Sequence, residues 1–348
     1  MIELDGSEGE GGGQILRTSI SLSLITGQPF RIQKTRAKRS PPGLRPQHLA
    51  CVRGAEAISG SASEGASVGA SELVFHPKPV KSGDYLLEVG TAGSTPLLFQ
   101  CLFFPLALAG GGTMVLKGGT HLTHSPSFHY LQGVWLPAMQ AYGLSADLKL
   151  RYAGFYPEGT GEFRAEIPAP GPPPTLLDIP ARGTLVDVEV RSFVAGLNFD
   201  IADRQSAAAL SALRERGVVA QAENVPLPAM RSRGTVVFIR AHFENSFAGF
   251  TALGEKGLPA EKVGAAAAEE FKQFLAGHGA LDEHLCDQIL LPASLLAAGR
   301  LGKAEPGTTH FTADKITDHL TTNARVIEKF LPVKIETTEA GSVRVAPK

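Results

Sequence analysis

Several features that place a protein quickly are missing from this chain. Cysteine is scarce: Cys51, Cys101 and Cys286 stand far apart and odd in number among 348 residues. That usage excludes a disulfide framework, shows no zinc-ligand spacing and suits a reducing compartment. No uninterrupted apolar run reaches the roughly 20 residues that span a bilayer. The opening "MIELDGSEGE" has neither the basic nor the apolar region of a signal peptide, so the expected location is cytoplasmic. An excess of charge of one sign is absent too. A net charge of −1 argues against a bulk electrostatic grip on nucleic acid. The usual phosphate-loop signatures fail as well. The glycine-rich "GEGGGQILR" (9–17) is not followed by Gly-Lys-Ser/Thr, and its register breaks from G-x-G-x-x-G at Gln14.

What is present is a globular composition, 43% apolar and 19% charged, in a chain long enough for one large or two ordinary domains. The chain also repeats itself weakly. "SLITGQPFRI", "LALAGGGTMVL" and "LLAAGRLGKAE" each end a helix at a glycine (Gly27, Gly110, Gly299) and open a strand. A loop and a second helix follow each time, beginning near Leu44, Ser127 and His319. Each unit closes with strands: "SELVFHP", "GEFRAEIP" and "SVRVAP". Such a unit reads as βαβαββ and is about 80 residues long, a packed supersecondary element used three times. In "QILRTSISLSLIT", Leu16, Ile20 and Leu24 fall on one helical face, and Gly27 sits where a C′ glycine would stop the helix.

The proline-rich "PAPGPPPTLLDIPARG" (168–183) reads as a boundary. From Thr184 the order changes to strand, helix, strand, two further strands and a helix, ending near Gly279. The fold class is therefore α/β (α+β). Residues 1–183 hold two units and the start of a third, 184–279 are an inserted small α/β domain, and 280–348 complete the third unit.

Three places offer chemistry. His319, in "ITDHLTTNARVIEKFLP", stands at a helix start with Thr317 or Asp318 as N-cap. The positive end of a helix favours a neutral, nucleophilic imidazole and attracts phosphate, although a capping or packing histidine has the same address. In "LDEHLCDQILLP" (281–292), Asp282 and Glu283 suit a helix dipole, whereas Asp287 and Gln288 lie past the first turn, where that explanation weakens. His284 beside them can stack on a base or pack. Glu10 is a carboxylate inside the glycine loop, unfavourable beside phosphate unless a cation lies between them. Either the loop approaches a metal-bound triphosphate with Glu10 on the metal, or it is a tight turn with an exposed Glu. "RIQKTRAKRSPPGLR" (31–45) adds a run of cations without an acid, either a solvated edge or a local phosphate site.

Taken together, "GEGGGQILR", "RAKRSPPGLRPQH", "TAGSTPLLFQ", "GFYPEGTGE", "EHLCDQILLP" and "HLTTNARVIEKFLPV" resemble the RNA 3′-terminal phosphate cyclase family, in order and over nearly the whole chain. The resemblance implies the fold of three βαβαββ units with an inserted domain. It also implies ATP-dependent conversion of an RNA 3′-phosphate to a 2′,3′-cyclic phosphate through a histidine–AMP intermediate and an adenylated RNA end. By the same resemblance His319 is the nucleophile. Gln100, His284, Leu285, Cys286, Asp287, Gln288 and Pro126 are ATP-binding positions. Arg17, Arg36, Arg39 and Gln47 face phosphates or the RNA end, and Glu10 holds Mg²⁺ or Mn²⁺. The implied partners are RNA 3′-phosphate ends and, for assembly, a homodimer, with no membrane. The chain departs from the family at His284, where tyrosine is common, at Thr160, where glycine is usual, and in a longer segment before His319. The competing readings are a catalytically inactive, cyclase-like ribosome-assembly protein and a small-molecule transferase built on a similar repeat.

Overall fold

Short β-branched and aromatic runs alternate with amphipathic helices from the first residues. A computed structural model describes residues 1–9, 11–172, 176–302 and 305–348. The first unit runs β1 (Ile2–Asp5), α1 (Gln14–Thr26), β2 (Phe30–Gln33), α2 (Pro46–Ser59), β3 (Ala62–Glu64), β4 (Leu73–His76). The second runs β5 (Gly83–Glu88), α3 (Thr95–Leu108), β6 (Gly112–Gly118), a helical rod, β7 (Asp147–Tyr152), β8 (Gly161–Ile167). That rod is α4 (Phe128–Tyr130), a π-helical turn (Leu131–Trp135) and α5 (Leu136–Gln140).

The third unit opens with β9 (Leu176–Ile179), inside the stretch read from sequence only as a boundary. The chain then leaves through β10 (Leu185–Ala195), α6 (Asp200–Arg214), β11 (Gln221–Pro226), β12 (Gly234–Phe243), β13 (Phe247–Leu253) and α7 (Ala260–Ala276). It returns as α8 (Glu283–Gln288), α9 (Leu290–Ala297), β14 (Thr308–Thr312), α10 (Asp318–Phe330), β15 (Val333–Thr337) and β16 (Ser342–Pro347). Strand β14 lies within the long segment before His319. Its Thr-Thr-His-Phe-Thr sequence alternates buried and half-buried residues, as a half-covered strand requires.

The three repeats share one topology. Their sheets are ordered β1-β2-β4-β3, β5-β6-β8-β7 and β9-β14-β16-β15, with the first pair parallel and the others antiparallel in each. A parallel pair needs a crossover, and α1 and α3 supply it within their units. In the third unit the crossover also carries the excursion from β10 to α7. Helices α3 and α9 are buried on nearly every face, which places them inside the molecule and not on its surface. Around α3, Trp135 packs edge-on against Phe99 and Phe103, with ring centroids 5.7 and 5.0 Å apart.

The excursion has its own sheet, β11-β10-β12-β13, and its own apolar cluster between that sheet and α6 and α7, centred on Val190, Ile239 and Phe271. It docks on the second unit. Phe193 and Phe238 join the main core, and the Gly234 backbone lies against the ring of Phe155. Pro137 explains one irregularity at this contact. Lacking an N–H, it leaves the carbonyl of Gly133 without its helical donor, and the rod widens there. Arg240 Nε on β12 donates to that carbonyl at 3.2 Å.

Candidate active site

Helix α1 begins directly after the glycine loop, so its first side chain, Gln14, projects at the start of the helix. Helix α10 begins at Asp318, with the Thr317 hydroxyl accepting from Leu320 N as N-cap. The two helices pack together and bring Gln14 to His319, 305 positions away, with Nδ1 and Oε1 2.8 Å apart. On its other side the Gln14 amide nitrogen donates to both carboxylate oxygens of Asp287. Asn323, one turn along α10 from His319, donates to Asp287 Oδ1 at 3.0 Å and accepts from the Thr18 hydroxyl at 2.8 Å.

This chain of bonds sets proton positions. The Asp287 oxygens act as acceptors, so the amide nitrogen of Gln14 must face them and its oxygen must face His319. Nδ1 then carries the imidazole proton and Nε2 the lone pair. Burial pushes the Asp287 carboxyl above the usual range. The neighbouring His319, the bonds from Gln14 and Asn323, and Arg17 act against that rise.

The glycines supply access. A Cβ on Gly12 would lie 4.0 Å from both Arg39 Nη2 and His319 Cε1, so the backbone at Gly12 faces both groups. A Cβ on Gly13 would collide with the ring of His48 and come within 2.8 Å of Arg17 Nη1. The cleft here is lined by Gly11, Gly12, Gln14, Asp318, His319 and Thr322. Glu10, the sequence candidate for a metal ligand, lies outside the described residues. A wider opening, about 860 Å³, lies elsewhere, beside the far ends of α1, α3 and α9 (Leu24, Leu108, Arg300), with no nucleophile among its described lining residues.

The phosphate candidates converge on this cleft. Arg36 donates to the carbonyls of Pro41 and Gly43 at 2.8 and 3.1 Å. Burial, followed by the nearby charges of Arg45 and Arg39, disfavours its ionised form. Buried His48 accepts from Arg45 N at Nδ1, 3.1 Å away. Burial foremost, then Arg17, Arg36 and Arg45, push its pKa down to about 3, so it is a neutral donor at Nε2 beside the glycine loop. Gln47 accepts from Ser94 N at 3.3 Å.

The nucleotide candidates divide into groups. Gln100 on α3 donates to Gln288 at 2.6 Å. The exposed ring of His284 stands edge-on to Tyr130, 6.4 Å between centroids, and Pro126 precedes the N-cap Ser127 of that same rod. Leu285 and Cys286 are buried in the core, which leaves only their backbone to a ligand. Helix α8 is held by Asp282, whose carboxylate accepts from the Tyr130 hydroxyl at 2.8 Å and from His284 N and Leu285 N at 3.0 and 2.9 Å. Thr160 occupies φ 45°, a conformation that favours glycine, with its buried hydroxyl unpartnered among the described residues.

Gln14, Asn323 and His48 were passed over in the sequence. Gln14 and Asn323 were visible only as polar residues beside the glycine loop and His319; nothing local shows that they meet across Asp287.

A family model described as RNA 3′-terminal phosphate cyclase matches residues 8–337. The RNA 3′-terminal phosphate cyclase of Methylococcus capsulatus is 39% identical over 360 residues, covering 99% of this chain and 96% of that protein. The protein of the same name from Ralstonia nicotianae is 40% identical, with 99% and 96% covered. That from Sulfurisphaera tokodaii is 38% identical, with 97% and 96% covered.

Proposed function

Since the chain belongs to the RNA 3′-terminal phosphate cyclase family, we propose that it uses ATP to convert an RNA 3′-phosphate to a 2′,3′-cyclic phosphate, with His319 as the covalent nucleophile. The observation that carries this reading is the Asp287–Gln14–His319 chain, which leaves the lone pair on Nε2 at a helix start beside the glycine loop.

Nε2 attacks the α-phosphorus of ATP, a P–N bond forms, and pyrophosphate leaves with the electrons of the broken anhydride bond. Gln14 holds the Nδ1 proton, and Asp287 supports the positive charge that develops on the imidazole. An oxygen of the RNA 3′-phosphate then attacks the AMP phosphorus, the P–N bond breaks, and the RNA end is adenylated. The vicinal 2′-OH attacks the RNA phosphorus, loses its proton and expels AMP. A phosphate monoester cannot lose oxide, so adenylation provides the leaving group. The last step is intramolecular and needs chiefly positioning.

In this reading Gln100, Gln288, His284 and Pro126 hold the nucleotide, with the backbone of Leu285 and Cys286. Arg17, Arg36, Arg39 and Gln47 hold the phosphates, helped by His48. The described residues contain no group of three or more His, Cys, Asp or Glu suited to a metal. That fits an ion carried by the triphosphate and held by few protein ligands. Glu10 is the residue we assign to it, and the ion would neutralise phosphate charge. Residues 184–279 form a domain of their own in this scheme, supported by their separate sheet and apolar cluster.

The test uses α-labelled ATP, Mg²⁺ and RNA ending in a 3′-phosphate. Labelled protein should form, and the RNA should discharge the label. An RNA with a 2′-deoxy terminal sugar should stop as the adenylated end. Release of AMP from that end as fast as from ribose would place the final nucleophile elsewhere. A protein that never labels would favour the binding-protein or small-molecule readings.

A further inference from the structure

The RNA-end reading leaves one exposed surface unexplained. Tyr156 is 79% exposed, although its neighbour Phe155 is buried at 4%. The two belong to a turn closed by Gly159 N donating to Phe155 O at 2.8 Å. The turn is fastened to the inserted domain: Phe155 N donates to the hydroxyl of buried Ser232 at 2.6 Å, and that hydroxyl reaches back to Phe155 O at 3.2 Å. Exposed Arg231 and Arg233 flank Ser232, and neither guanidinium has an ion-pair partner among the described residues. The stem of Arg233 lies against Gly196, and exposed Phe199 follows three residues on.

The turn packs, through Ala92 and Gly93, against the segment beside the candidate site. A Cβ on Gly159 would sit 2.8 Å from Ala92 Cα, and a Cβ on Gly93 would sit 2.8 Å from Gln47 Cβ. Two close contacts and the Gly159–Phe155 hydrogen bond therefore link Gln47, at the RNA-end pocket, to the turn that carries Tyr156.

We propose that the single-stranded RNA leading to the terminal phosphate runs along this path, with a base stacked on Tyr156 and backbone phosphates on Arg231 and Arg233. The proposal rests on the RNA-end reading above and assigns a task to the inserted domain. An accessible ring beside cations is how single strands are gripped without sequence readout, since every base has a face to stack. Glu158 is exposed in the same turn, so stacking carries as much of the grip as charge does.

The test compares two substrates, a trinucleotide and a dodecamer, both ending in a 3′-phosphate, on the full-length enzyme. The dodecamer should have the lower KM. Tyr156→Ala should raise KM for the dodecamer about five- to tenfold, the loss of one stacked base, while Tyr156→Phe should not. Replacing both Arg231 and Arg233 by Ala should flatten the salt dependence of that KM by about 1.4 in log–log slope, for two lost phosphate contacts. Turnover of the trinucleotide should be the same in all variants. Equal KM for the two lengths in the wild type, or no change in the variants, overturns the path while leaving cyclisation intact. Failure of both RNAs to cyclise overturns the function itself. Variants that change only the oligomeric state would make this surface a protein interface and overturn the proposal.

Discussion

Two histidines occupy the same address in successive repeats. His129 stands two residues after the N-cap Ser127, and His319 stands two residues after the N-cap Thr317. Their surroundings have nothing in common. His129 is buried face to face with Phe193, centroids 3.7 Å apart and planes within 3° of parallel, and its Nε2 has no hydrogen-bond partner among the described residues. Burial, then the neighbouring His121 and Arg191, push its pKa well below the ordinary value. His319 is half-buried and bonded to an amide that a carboxylate orients. A helix start therefore does not make a nucleophile. The facing element sets the surroundings of each imidazole: β10 presents an aromatic ring to one histidine, and α1 and α8 present a polar relay to the other. In the first repeat the equivalent position, two after the N-cap Arg45, is Gln47, beside the arginine cluster.

Replacing each of the two histidines in turn breaks the comparison most directly. His319→Asn should lower AMP–protein formation by about 10³-fold or more, as loss of a covalent nucleophile does. His129→Phe should label like the wild type. Labelled His319→Asn protein would move the nucleophile elsewhere.

The relay is the next feature to remove. Gln14→Leu keeps the size of the side chain but cuts the link between Asp287 and His319. The rate of adenylation should fall about 10- to 100-fold, the usual cost of losing an orienting partner. The loss should appear in kcat and leave the KM for ATP little changed. An unaltered rate would mean that the helix start alone is sufficient.

Gln47 sharpens the comparison from the equivalent position in the first repeat. Gln47→Ala should raise KM for 3′-phosphorylated RNA about 2- to 10-fold, the range of one neutral hydrogen bond, without slowing histidine adenylation. Equal loss in both steps would place Gln47 at the nucleotide instead.

The smallest effect concerns stability. A histidine whose folded pKa is depressed binds its proton in the unfolded chain first, so stability is full at neutral pH and is lost as pH falls below about 6.5. Each buried neutral histidine costs about 2 kcal/mol between roughly pH 7 and 5. His129→Phe should remove one such share from the acid limb of the unfolding curve. His48 and His121, both pushed down to about 3, should retain theirs. An acid limb identical to wild type would mean that His129 is already protonated or hydrated in the native state.

Legibility followed the range of the interaction. The span of α1 and its stop at Gly27 (φ 73°) were readable, because apolar spacing and a C′ glycine are local signals. Strand β9 was missed, because prolines and glycines around it mimic a linker and its partner, β14, lies 132 positions further on (Leu176 opposite Thr308). The π-helical turn was missed as well, since it depends on Pro137 and on the arrival of Arg240 from another sheet.

By itself the sequence determined the repeated βαβαββ order and the residue types available for phosphate chemistry. These follow from periodicity, turn residues and composition, which act over a few positions. Only the tertiary structure decided which histidine meets a carboxylate-anchored amide and which meets an aromatic ring. Gln14 and Asp287 are 273 positions apart and Gln14 and His319 are 305 apart, so packing of α10 against both α1 and α8 had to bring them within bonding distance. Directional hydrogen bonds act only over such contact distances, and no local pattern along a chain records them.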